Sequence, residues 1–79
     1  MAGKKPWDRR RERLQKLLRS LRVEAGLKQS ELADRLDKDQ TFVSRYENGE
    51  RRLDLIELAD ICRACNSDLS KLVKRLEAP

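Results

Sequence analysis

Between Gln29 and Gly49 the segment QSELADRLDKDQTFVSRYENG carries two short apolar stripes of helical period, on two helices separated by the three residues Asp37-Lys38-Asp39. Leu32, Ala33 and Leu36 stand at i, i+1 and i+4, and Phe42, Val43 and Tyr46 repeat that spacing ten residues later. Two helices this short must share one small core. Ala33 sits where helices crossing at a steep angle come closest, so a larger side chain there would push them apart. Between them, Asp37 is one of the few non-glycine residues that tolerates the left-handed conformation of a tight reversal. Asp39 is placed to cap the second helix by accepting from its free N–H groups. The pattern is that of a helix-turn-helix.

The flanking sequence supplies three more helices. After MAGKKPW, a basic arm over residues 1–7, Asp8 is placed as the N-cap of a long helix through Leu14, Leu17, Leu18, Leu21 and Ala25, ended by Gly26. Asn48 and Gly49 close the second helix of the central pair. Asp54 starts a fourth helix carrying Leu55, Leu58, Ala59, Cys62 and Cys65, with Ile56 and Ile61 widening its apolar face toward a central position. Asn66–Ser67 interrupts it, and Ser67 or Asp68 starts a fifth helix bearing Leu69, Leu72, Val73 and Leu76. No segment alternates with period two. The expected architecture is all-α, five helices in one domain over residues 8–79.

Size and composition narrow the function classes. A 79-residue domain buries only about 60–65% of the surface of its unfolded chain, which leaves little room for a deep substrate cavity. The apolar runs are shorter than a signal-peptide core or a membrane span, so the expectation is a cytoplasmic chain with no membrane association. Cys62 and Cys65 form a lone C-x-x-C. With no histidine and no second cysteine pair, the chain cannot supply four ligands to a structural zinc ion, so packing is the expected role and no metal or cofactor is implied. No nucleophile and base pair suggests itself, and an enzyme is not expected. The net charge of +5 is unevenly placed: residues 1–28 carry ten basic and three acidic side chains, +7, and the remainder −2. An anionic partner fits that excess, and so does an ordinary solvated surface.

The second helix of the central pair breaks the tie. If Val43 and Tyr46 face inward, then Gln40, Thr41, Ser44 and Arg45 lie on the opposite face, where a helix in the major groove presents its readers. Gln pairs bidentately with adenine, Arg with guanine, and Thr offers a hydroxyl or a methyl. Phe42 lies at the edge of that face, within reach of a thymine methyl or of helix two; packing is the favoured role. Gln29, at the start of helix two, presents its amide and side chain to a phosphate at a partially positive helix terminus. Lys28, Asn48 and Arg51 flank the face as candidate backbone contacts, which set affinity and register while the groove residues set sequence.

The strings GLKQSELADRL and TFVSRYENGE resemble the G-L-x-Q-x-E-L-A and I-S-x-x-E-x-G signatures of the phage Cro and cI repressor type of helix-turn-helix, the XRE family. The resemblance covers roughly residues 14–76. It implies a compact five-helix lambda-repressor-like DNA-binding domain with helices two and three as the motif. It implies Gln29 as the phosphate-binding, contact-orienting glutamine and Gln40, Thr41, Ser44 and Arg45 as base readers. It also places Arg22 and Glu47 where the family often has a buried ion pair between helices one and three. Three positions depart from the pattern: Lys28 replaces a Ser or Thr cap, Asp37 a turn glycine, and Leu53 a proline. The basic opening of helix one is an addition, available to DNA, to a partner protein or to neither.

The leading expectation is therefore a sequence-specific binder of double-stranded DNA that regulates transcription, as a repressor acting as a homodimer on a palindromic operator. The fifth helix offers either a dimer seam or closure of the monomer core. The alternative is an antitoxin-like or adaptor module whose five helices mainly bind another protein, a toxin or the transcription machinery.

Overall fold

Five α-helices follow in the order α1 (Pro6–Glu24), α2 (Gln29–Arg35), α3 (Gln40–Glu47), α4 (Leu55–Ala64) and α5 (Leu69–Glu77), with no strand among the described residues. The computed structural model describes residues 6–79, with side chains from Asp8 onward. The basic arm expected over residues 1–7 lies almost wholly outside them. Because α1 begins at Pro6, Asp8 occupies its first turn and is not the N-cap.

The first four helices end alike. At each, one residue takes a positive φ: Gly26 (75°), Asp37 (56°), Gly49 (81°) and Asn66 (60°). The next N–H then reaches back six residues inclusive: Leu27 to Arg22 O (3.1 Å), Lys38 to Ala33 O (2.9 Å), Glu50 to Arg45 O (2.9 Å), Ser67 to Cys62 O (2.8 Å). This is the left-handed C-cap that satisfies orphaned carbonyls, and Asp and Asn are the side chains that tolerate it best after glycine. Asp37 thus does the work of the glycine it replaces. Starts are less uniform. Asp54 accepts from Glu57 N–H at 2.7 Å while the Glu57 carboxylate accepts from Asp54 N–H at 3.0 Å, a reciprocal capping box. Asp68 accepts from Lys71 N–H at 2.9 Å and fixes the start of α5. Asp39 stands at the N-cap of α3, but its side chain makes no capping hydrogen bond, against the expectation.

Every helix contributes to one core: Leu18 and Leu21 from α1, Leu32 and Ala33 from α2, Val43 and Tyr46 from α3, Ile61 and Cys62 from α4, and Leu72 from α5, with Leu27 and Cys65 beside them. Ala33 is fully covered where α2 meets α3. Both cysteines are buried free thiols packed in the core, and burial pushes the Cys65 pKa up to about 11. Leu72 is buried in the core and Leu69 packs against it, so these two residues of the α5 stripe serve the monomer core, while Val73 is exposed. Three contacts tie α5 to α1: the Arg10–Glu77 ion pair, Arg13 donating to Arg75 O at 3.0 Å, and the bidentate Arg75–Glu24 pair at 3.1 and 3.2 Å. Part of the basic opening of α1 is thereby engaged within the chain. Among the described residues no helix is long and apolar enough to cross a membrane.

The fourth helix departs from expectation. Leu58, Ile61, Cys62 and Cys65 make its packed stripe, whereas Ile56 lies roughly 120–180° around the helix from them and is 68% exposed. Leu55 shares their face but stands in the first turn, uncovered, at 64% exposure. Apolar residues on several sides of α4 therefore do not make it a central helix.

Two tests follow from these environments. The Tyr46 hydroxyl is buried with no hydrogen-bond partner among the described residues, and burial raises its pKa. Tyr46→Phe removes an unsatisfied group and is expected to leave stability unchanged or raise it by about 1 kcal/mol in urea denaturation. The Glu57 carboxyl is held below the ordinary carboxylate range by Arg51, and that of Asp68 by the Ser70 hydroxyl and Lys71 N–H. A pKa depressed in the folded state contributes stability above the unfolded value of about 4, and this is lost as pH falls through the folded value. The melting temperature is expected to drop with acidification below that point, with a shallower slope in the Glu57→Gln, Asp68→Asn double variant.

Candidate nucleic-acid interface

Burial divides α3 into two faces. Val43 and Tyr46 enter the core, which leaves Gln40, Thr41 and Arg45 exposed and Ser44 half-buried on the other side. The structure thus brings together all four side chains singled out as base readers. Phe42 is half-buried at the margin and packs edge-on against Tyr46, with ring centroids 5.5 Å apart at 74°. Cations stand over its ring, Arg51 at 4.8 Å and Lys38 at 5.6 Å from the centroid.

The orientation of α3 is set at its last residue. Glu47 accepts from Arg22 Nε at 2.7 Å and from Arg22 NH2 at 3.0 Å, a bidentate pair between α1 and α3. The remaining Arg22 nitrogen, NH1, donates to Leu27 O at 2.9 Å, fixing the α1–α2 connection. Gln29 Nε2 donates to Glu47 Oε1 at 3.1 Å, so the start of α2 joins the same carboxylate. The Glu47 side chain is 3% exposed and that of Arg22 11%. The hydrogen bond to Glu47 raises the Arg22 pKa despite burial, which acts in the opposite direction.

The flanking residues fall in different situations. Lys28 is exposed at the N-cap of α2 and supplies no side-chain acceptor, yet Glu31 Oε1 accepts from its backbone N–H at 2.8 Å and holds that turn. Gln29 spends one amide N–H on Glu47, so its side chain is positioned from inside the protein. Asn48 is exposed just past α3. Gly49 is needed for its φ of 81°; a Cβ there would meet only the mobile end of the Gln15 side chain, at 2.6 Å from Nε2. The Arg51 guanidinium donates to both Glu57 oxygens, at 3.1 and 2.8 Å, while stacking on Phe42, and so braces the α3–α4 loop. Sequence reasoning missed two of these ties, Arg51–Glu57 and Gln29–Glu47. The D-x-x-E spacing of Asp54 and Glu57 is a helix-start signal that the sequence offers, but nothing in it pairs Glu57 with Arg51.

Two helices at a tight turn, with a polar outward face on the second and a buried ionic clamp behind it, define a helix-turn-helix protein. The helix-turn-helix family HTH_3 matches residues 18–72. An XRE-family like protein from Pseudomonas syringae pv. tomato is 48% identical over 90% of this chain and 87% of its own, with a TM-score of 0.85. The clp gene regulator ClgR from Corynebacterium glutamicum is 27% identical over 85% of this chain and 86% of its own, with a TM-score of 0.77. No curated protein matches the chain. The chain belongs to the XRE-type helix-turn-helix family, a family of DNA-binding transcriptional regulators.

The Glu47 hub gives a direct stability test. Glu47→Gln leaves the Arg22 charge buried with the Leu27 carbonyl but no counter-ion, and is expected to cost about 3 kcal/mol. Urea unfolding followed by circular dichroism measures it.

Proposed function

We propose that the protein is a sequence-specific repressor that binds a palindromic operator as a homodimer, with α3 in the major groove. The observation that carries this reading is the α3 face: Gln40, Thr41, Ser44 and Arg45 point outward together, while the residues between them are committed to the core. Each has donor or acceptor chemistry suited to a base edge. Lys28, Gln29 and Asn48 flank that face as phosphate contacts, with Arg51 in a bracing role beside them. An eight-residue recognition helix spans few base pairs, so one copy reads a half-site. Two copies with recognition helices about 34 Å apart meet successive major grooves. Repression by occlusion of polymerase is the simplest outcome of such binding. That ClgR is a gene regulator of similar fold supports the regulatory reading.

Selection from a randomised pool of duplexes, read by sequencing, tests the proposal. A palindromic consensus is expected; absence of enrichment overturns it. On the selected duplex, Arg45→Ala is expected to weaken binding by about 1–3 kcal/mol and to relax preference at one position of each half-site. Lys28→Ala is expected to weaken all duplexes alike. Affinity is expected to fall about 1000-fold between 50 and 200 mM salt if several phosphates are contacted.

A further inference from the structure

Two of the four residues offered as phosphate contacts carry a charge, Lys28 and Arg51, and among the described residues only Arg51 is ion-paired. Its guanidinium is engaged on three sides. NH1 and NH2 donate to the two Glu57 oxygens at 3.1 and 2.8 Å, NH1 also donates to Arg52 O at 3.0 Å, and Cζ stands over the Phe42 ring, 4.8 Å from its centroid. The backbone is anchored separately. Arg51 N–H donates to Arg45 O at 3.3 Å, and Glu50 N–H to the same oxygen at 2.9 Å. The side chain is therefore able to change partner while the loop stays in place.

Phe42 precedes Arg45 by three residues on α3, so the two are surface neighbours and the Arg51 group lies beside the outward face. A duplex seated on α3 brings phosphates to such flanks. A phosphate arriving there competes with Glu57 for Arg51. The Glu57 side chain is 22% exposed and that of Arg51 40%, so salt screens the pair less than it screens one fully in water. A carboxylate gripped at two points, a backbone carbonyl and an aromatic face together stand against one phosphate. The internal set holds.

We propose that Glu57 is a negative determinant of DNA affinity: it holds Arg51 within the protein and so withholds one cation from the DNA backbone. The proposal rests on the DNA-binding reading above and deepens it by setting which cations the duplex meets. Glu57 does not itself touch DNA; it is a positioning residue that acts through Arg51. Its structural bond is separable from that role. Glu57 Oε1 also accepts from Asp54 N–H at 3.0 Å, and a glutamine oxygen accepts equally well, so Glu57→Gln removes the charge and keeps the α4 capping box.

The readout is the number of phosphates engaged, because each adds about 0.9 to the slope of log affinity against log salt. A residue that only stabilises the fold leaves that slope alone. Binding of the full chain to a mixed-sequence duplex is followed by fluorescence anisotropy between about 50 and 200 mM potassium chloride. Glu57→Gln is expected to bind more tightly at the low end and to show a slope steeper by about one, an extra loss of roughly 3- to 4-fold across the range. Adding Arg51→Ala is expected to return the slope to that of the unaltered chain. Arg51→Ala alone is expected to keep the slope, whatever it costs in affinity through loss of the brace. Asp60→Asn removes an exposed carboxylate one turn further along α4 and is expected to leave the slope unchanged, which separates release of Arg51 from simple loss of negative charge. An unchanged slope in Glu57→Gln, an equal rise in Asp60→Asn, or a slope lowered by about one in Arg51→Ala alone overturns the proposal and leaves DNA binding intact. If Glu57→Gln does not fold, the Arg51→Ala slope decides. A chain that binds no duplex at any salt overturns the DNA-binding reading and the proposal with it.

Discussion

The buried carboxylate of Glu47 is the point on which three helices agree. Arg22 from α1 grips both its oxygens, Gln29 from α2 adds an amide, and Glu47 itself is the last residue of α3. Apolar packing of Leu32 and Ala33 against Val43 and Tyr46 brings the two motif helices together, but such packing tolerates rotation of a short helix about its axis. An ionic clamp at a helix end does not, because hydrogen bonds fail steeply with angle. A rotation of one residue position, about 100°, would carry Arg45 away from its face. Buried pairs are often worth little in net stability, since desolvation offsets attraction. Here the geometry they enforce is the contribution: the direction in which Gln40, Thr41, Ser44 and Arg45 project.

A second brace works from the other side. The α3–α4 loop turns at Gly49, where the backbone takes a φ of 81°, and returns along α3 until Arg51 reaches Glu57 and Phe42. Arg51 is a cation beside the face proposed to meet DNA, yet its guanidinium is engaged within the protein. The consequence is a rigid link between the reading face and the exposed first turn of α4.

Much of this was legible in the sequence because local rules act on adjacent residues. Helical periodicity located five helices; Gly26, Asp37, Gly49 and Asn66 marked their ends, and each adopts the left-handed conformation its side chain tolerates. The outward face of α3 followed from the inward one. Arg22–Glu47, 25 residues apart, came only through family resemblance, since no periodicity rule joins positions so distant. The sequence offers Gln29 and Arg51 as phosphate contacts but does not show their ties within the protein, because Glu47 and Glu57 lie on other elements. Ile56 was read as core because hydrophobicity says that a residue prefers burial and not whether a neighbour is there to bury it. Asp39 shows the converse: it occupies the cap position without making the bond.

The central claim is that the clamped outward face of α3 is the surface that meets DNA. Chemical-shift mapping of the ¹⁵N-labelled protein titrated with its selected duplex tests it most directly. The account predicts the largest perturbations at Gln29, Gln40, Thr41, Ser44 and Arg45, with smaller ones at Lys28 and Asn48. Perturbations centred on α5 or on the middle of α1, with the α3 face silent, would contradict it.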